Sequence, residues 1–186
     1  MRILVACEFS GIVRDAFIER GHDAVSCDLL ESERPGPHVR GDITRLLQDG
    51  WDLMVAFPPC TYLARSGAKH WDHPETIIKQ REALHFVETL LAAPIPRIAL
   101  ENPPGLISTH VWLADQYIQP WQFGHGERKH TGLWLVNLPK LRPTNIVKGR
   151  AERVHRIGPI RERARERSRS YPGIAAAMAD QWGSLG

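Results

Sequence analysis

Cys60 stands behind two prolines in the run Phe57-Pro58-Pro59-Cys60, at the end of an apolar stretch. The prolines stiffen the loop and hold the thiol at a strand end, where neighbouring donors can lower its pKa and ready it as a nucleophile. The competing reading is a small buried hydrophobe, the usual fate of free cysteine. For Cys7 and Cys27, which sit inside apolar strand patterns, that second reading is the expectation. About forty residues after Cys60, Glu101 closes another apolar stretch and is followed by Asn102-Pro103-Pro104. A partly desolvated carboxyl there can hold a proton and donate it; the alternative is a surface carboxylate. Asp28 and Asp42 follow two further predicted strand ends, as a ribose-hydroxyl acceptor or as simple loop caps. Three cysteines without a CxxC pair support neither a disulfide framework nor a zinc knuckle, and no metal-ligand spacing is present, so no metal is expected.

These residues need elements to hold them. Residues 2–8 (RILVACE) read as a buried strand that turns at Phe9-Ser10-Gly11 into a helix over 12–20, with Val13, Ala16 and Phe17 on one face and Gly21 as its stop. Strands follow at 24–30 and 52–57. Between them lies a Pro/Gly loop at 34–37, then a short helix that Thr44 would cap. The longest helical pattern, 75–92, gathers Ile78, Ala83, Leu84, Val87, Leu90 and Leu91, and a strand at 98–100 runs into Glu101. Runs near 121–123 and 133–136 also read as strands. Strands alternating with helices predict an α/β fold with a doubly wound, mostly parallel sheet. Such sheets collect ligands beyond the carboxyl ends of their strands, where FSG, Asp28, GD, PPC and ENPP all fall.

In this order, Phe9-Ser10-Gly11, Asp28, Gly41-Asp42-Ile43, Pro58-Pro59-Cys60 and Glu101-Asn102-Pro103 resemble the motifs of the DNA (cytosine-5) methyltransferases. The resemblance implies a Rossmann-like S-adenosylmethionine-dependent methyltransferase fold, with residues 1–186 as a single methyltransferase domain. It implies that Phe9, Ser10, Gly11, Asp28, Leu29, Asp42, Ile43 and Pro58 contact S-adenosylmethionine, and that Cys60, Glu101 and Lys129 are catalytic. Asn102, Thr131, Arg153 and Arg156 would then bind substrate, and residues 171–186 would form a helix returning to the cofactor. The implied chemistry is thiol addition to carbon 6 of cytosine, which makes carbon 5 nucleophilic; a base buried in a duplex must first be flipped out.

This sequence departs from the family's motifs at three places. Ile12-Val13 replaces the second glycine of the first motif, Thr61-Tyr62 follows the cysteine, and Lys129-His130-Thr131 stands where an Arg-x-Arg pair is usual. The chain has 186 residues, 42% hydrophobic and 24% charged, enough for one core and without a run of the ~18 apolar residues that would span a membrane. The stretch MRILVACEFSG reads as a first strand rather than a signal peptide, so a cytoplasmic setting, in a bacterial host if phage-encoded, is the expectation. Of its net charge of +3, residues 148–169 carry nine basic against three acidic side chains. That basic arm (148–170) takes the place where the family inserts its sequence-reading domain. It reads as a solvated face or as an electrostatic handle for nucleic acid. The expected substrate is DNA, with RNA or a free cytosine nucleotide as alternatives, and with either weak sequence specificity or specificity supplied by a protein partner. A non-catalytic relative that binds nucleic acid or cofactor is a further alternative. Trp112, Trp121 and Trp134 are expected to serve core packing rather than base stacking.

Overall fold

The computed structural model describes residues 1–151 and 165–185. Arg153 and Arg156 therefore lie outside the described residues. Among those described, one seven-stranded sheet has the order β3-β2-β1-β4-β5-β7-β6. The strands are β1 (Arg2–Ala6), β2 (Asp23–Asp28), β3 (His38–Arg40), β4 (Leu53–Ala56), β5 (Ile98–Asn102), β6 (Gln116–Ile118) and β7 (Thr131–Val136). β1 to β5 are parallel, and β7 runs antiparallel between β5 and β6. The helices are α1 (Ile12–Ile18), α2 (Pro74–Leu91), the single turn α3 (Ile107–His110) and α4 (Pro172–Gly183). None of the described helices is long and apolar enough to cross a membrane.

Strand alternation divides the core in two. Ile3 and Val5 of β1 pack with Val13 and Phe17 of α1 and with Ala175 and Met178 of α4. Leu4 and Ala6 face the opposite way, toward Val87, Leu90 and Leu91 of α2. Covering both faces explains why the strands read as continuous apolar runs.

Three expectations are corrected. Residues 121–123 are not a strand: Pro120–Gln122 form a 3₁₀ turn with proline in its first position and a Gln119/Gln122 capping box. Asp42, not Thr44, caps the short 3₁₀ turn Ile43–Leu46, its carboxylate accepting from the Thr44 amide at 3.0 Å. Ile78 is exposed, whereas Gln80 is buried, because Gln80 continues the 84–87–91 stripe of α2 and Ile78 falls off it. The edge strands β3 and β6 have three residues each, too short to declare a period of two.

Candidate active site

The parallel strands all deliver their carboxyl ends to one rim. The strand order reverses between β1 and β4, so the turn after β1 and the loop after β4 flank the sheet's switch point. The first is Phe9-Ser10-Gly11; the second carries Pro58-Pro59-Cys60. Antiparallel β7 enters the sheet at the same rim, since Gly132 pairs with Asn102 and Leu133 with Glu101. The inversion brings Lys129 and Thr131 beside the Glu-Asn pair.

Two loops are fastened together around the thiol. The Asn102 side chain, 1% exposed, donates from Nδ2 to the Pro58 carbonyl at 2.9 Å. The Leu63 and Ala64 amides close a turn on the Cys60 carbonyl, at 3.1 and 2.9 Å. The following backbone then docks on the Pro104-Gly105 segment, through Arg65 N to Pro104 O and Leu106 N to Leu63 O, both 2.9 Å. A Cβ on Gly105 would stand 1.9 Å from the Leu63 carbonyl, so only glycine permits this approach. Gly105 is a site-forming residue that no sequence motif singled out. Asn102, expected at the substrate, serves in this structure as the loop's fastener.

Lys129 Nζ lies 3.7 Å from Glu101 Oε1 and donates to the Arg167 carbonyl at 2.9 Å. Cys60 is half-buried, and burial pushes its thiol above the ordinary range; the Glu101 carboxylate adds to the rise, while Arg167 and Lys129 oppose it. A thiol lowered by its neighbours, the sequence expectation, is thus not what the geometry gives. Desolvation outweighs the two cations. Cys7 and Cys27 are pushed up further, to about 12 and about 11, first by burial and then by Asp28. Among the three thiols Cys60 alone has cations lowering it. Thr131 is buried and donates from its hydroxyl to the Lys129 carbonyl. Phe57, Glu101, Lys129 and Thr131 line one cleft with Tyr171, the N-cap of α4, and Met178 within it.

At the β1 turn, Gly11 has φ 74, a left-handed conformation suited to glycine. A Cβ there would press on Arg14 at 2.6 Å. Arg14 is fully buried, paired with Asp15 and bonded to Ser26, Ser32 and the Arg34 and Pro35 carbonyls, which fixes the loop after β2. Ser10 donates to Glu8 Oε1 at 2.5 Å, while the Ile12 and Val13 amides point to Ser10 Oγ and Glu8 Oε1. These amides are satisfied internally and do not form a phosphate cradle. Burial raises the Glu8 carboxyl above its usual range. Asp28 accepts from the Leu30 amide, Leu29 is exposed, and Phe9 and Ile43 are buried. Hydrogen bonds from Thr44 hold Asp42 below the usual carboxylate range. Trp134 is core, donating to the Trp112 carbonyl, whereas Trp112 is exposed and Trp121 carries the Arg150 guanidinium 4.1 Å over its ring.

No protein-family profile matches this chain, and no curated protein matches it. Among solved structures it is similar to a DNA modification methyltransferase encoded within an E. coli prophage. There the TM-score is 0.51 and the identity 12%, over 80% of this chain and 52% of the other. A methyltransferase of Entamoeba histolytica aligns with a TM-score of 0.54 and 15% identity, over 80% of this chain and 57% of that one. The chain shares the fold of these two methyltransferases. The chain spans little more than half the length of these methyltransferases. At the β1–β2 rim the polar groups are compatible with the S-adenosylmethionine that the sequence resemblance implies. Asp28 and Asp42 are acceptors for hydroxyl and amino groups, and the turn keeps its amides for Ser10 and Glu8 rather than for a phosphate.

Proposed function

We propose that this chain methylates carbon 5 of cytosine in a polynucleotide, DNA first, with S-adenosylmethionine as methyl donor and Cys60 as nucleophile. The observation that carries the reading is the convergence on one rim of a half-buried thiol, a carboxylate and an ammonium. Glu101 and Lys129 lie 3.7 Å apart and both act electrostatically on Cys60. Phe9, Ser10, Gly11, Asp28, Leu29, Asp42, Ile43 and Pro58 form the proposed cofactor side, and Asn102 and Thr131 border the substrate side.

Cys60 gives up its proton to water, and its sulfur lone pair forms a bond to carbon 6 of the ring. The carbon 5–carbon 6 π pair is thereby freed for carbon 5 to use as a nucleophile. Glu101 holds a proton at ring nitrogen 3, neutralising the charge that addition places on the ring, and Lys129 keeps Glu101 oriented. S-adenosylmethionine, when bound, supplies an electrophilic methyl group. After transfer, carbon 5 loses its proton to water, the double bond re-forms, and the Cys60 thiolate leaves.

Labelled methyl transfer to DNA, RNA and cytosine nucleotides tests the reading. Transfer to DNA is expected, with loss in Cys60→Ala, and a 5-fluorocytosine-containing strand should form a covalent adduct with the wild-type chain only. Cofactor binding without transfer to any of these substrates overturns it.

A further inference from the structure

We propose that Arg165 and Arg169 form a phosphate seat for the polynucleotide, and that Glu33 occupies this seat as an internal stand-in for phosphate. The inference rests on the polynucleotide reading above and adds to it where the backbone is gripped and what holds the grip shut. Glu33 lies in the loop after β2, more than a hundred residues before the arm it meets. Arg169 engages its carboxylate with two parallel bonds, Nε to Oε2 and Nη2 to Oε1, both 2.7 Å. Arg165 adds Nε to Oε1 at 2.8 Å, so both oxygens of one carboxylate are held by two guanidinium groups. This fork geometry is the one guanidinium offers equally to a phosphate.

Surrounding contacts show that the arrangement is a latch rather than a chance surface pair. The Glu33 amide donates to the Phe9 carbonyl at 2.8 Å, which anchors the carboxylate to the β1 turn. The Arg165 guanidinium lies 5.4 Å from the Phe9 ring centroid. Arg169 also pairs with Glu166, and two residues earlier the Arg167 carbonyl receives Lys129 Nζ. The segment 165–169 therefore spans from the proposed cofactor turn to the ammonium beside Glu101. Its arginines keep Glu33 ionised, below the usual carboxylate range. Polynucleotide can displace Glu33 because it offers successive phosphates and releases condensed counterions, neither of which a single internal carboxylate provides.

The test is fluorescence anisotropy with a labelled cytosine-containing DNA duplex and its single strand, over a range of potassium chloride. Wild type, Glu33→Gln, Arg165→Ala/Arg169→Ala and the triple variant are compared. Removing the internal anion should tighten DNA binding by about 5-fold, the size expected for one partly exposed ion-pair network. The gain should vanish in the triple variant, and the double arginine variant should lose about two units of salt slope. A ligand-free readout is trypsin cutting within residues 165–169, which should be faster in Glu33→Gln than in wild type. DNA binding by wild type with no tightening in Glu33→Gln overturns the seat while leaving the polynucleotide reading intact. Absence of DNA binding in both overturns the reading and the seat together.

Discussion

Asn102 is the residue whose role the structure makes most sharply testable, because a fastener and a substrate contact respond differently to mutation. Asn102→Ala removes the only donor to the Pro58 carbonyl among the described residues, where Asn102 is 1% exposed and the proline is buried. Leaving a buried carbonyl unpaired costs about 1–3 kcal/mol. With ~2 kcal/mol as the central value, a chain of this length loses roughly 4–8 °C in Tm. Asn102→Asp keeps the side-chain volume but turns the donor into an acceptor, so it should destabilise at least as much at neutral pH. Both variants free the loop that carries Cys60, and misplacement of a reacting group by about 1 Å costs up to ~10²-fold in rate. The assays are a circular-dichroism melt and the rate of adduct formation with a 5-fluorocytosine strand. A loop fastener predicts a lowered Tm together with slowed adduct formation at saturating DNA. An unchanged melt with only a raised KM for DNA would refute the reasoning and make Asn102 a base contact.

Three more expectations follow from the same geometry. Burial raises the Glu8 carboxyl, so the stability it contributes is present below its unfolded value and is lost as pH rises through the folded one. Glu8→Gln should therefore melt above wild type near about pH 8 and approach it near about pH 3, where wild-type Glu8 is protonated in both states. Because burial and Glu101 raise the Cys60 thiol, its alkylation by iodoacetamide should be slower at neutral pH than that of a free thiol and should climb with pH; Glu101→Gln should accelerate it and Lys129→Met retard it, and shifts of the same sign would contradict the assigned electrostatics. Arg14→Met leaves Asp15 with Arg34 and unties Ser26, Ser32 and the Arg34 and Pro35 carbonyls; a buried polar group left without its partner costs about 1–3 kcal/mol, read as a lower urea midpoint with faster proteolysis of the loop after β2.

The sheet was legible wherever a strand is buried on both faces. Residues 3–6 and 53–56 are wholly buried, and an uninterrupted apolar run records that burial directly. β3 and β6 escaped because their order comes from a neighbour: Val39 is fixed by pairing with Cys27, and Tyr117 by pairing with Gly132. Glycines and prolines were informative about where the chain turns but not about what they approach. Gly105 reads as a loop residue, and only the assembled rim reveals that it makes room for the Leu63 carbonyl. The same holds for charge. The arm reads as nine basic residues facing solvent, yet Arg165 and Arg169 are committed to a glutamate 132 and 136 residues away. A pattern along the chain gives the number of charges, whereas pairing depends on which loops the sheet order brings together.

That dependence bears on how the chemistry is assembled. Cys60 and Glu101 come from adjacent parallel strands, β4 and β5, and would be brought to one rim by any doubly wound sheet. Lys129 and Thr131 reach that rim only because β7 runs antiparallel, placing its first residues where the parallel strands have their last. A parallel β7 would put Lys129 at the opposite edge of the sheet, a strand length away from Glu101. The inversion of one strand is therefore what converts a thiol-and-carboxylate pair into a three-group site. It also gives the arm its anchor, since the Arg167 carbonyl is held by the same Lys129 ammonium that faces Glu101. Movement of the arm and the orientation of Glu101 are in this way coupled through one side chain. Lys129→Met should accordingly loosen residues 165–169 to trypsin even with Glu33 intact, and unchanged cutting would separate the arm from the proposed catalytic rim.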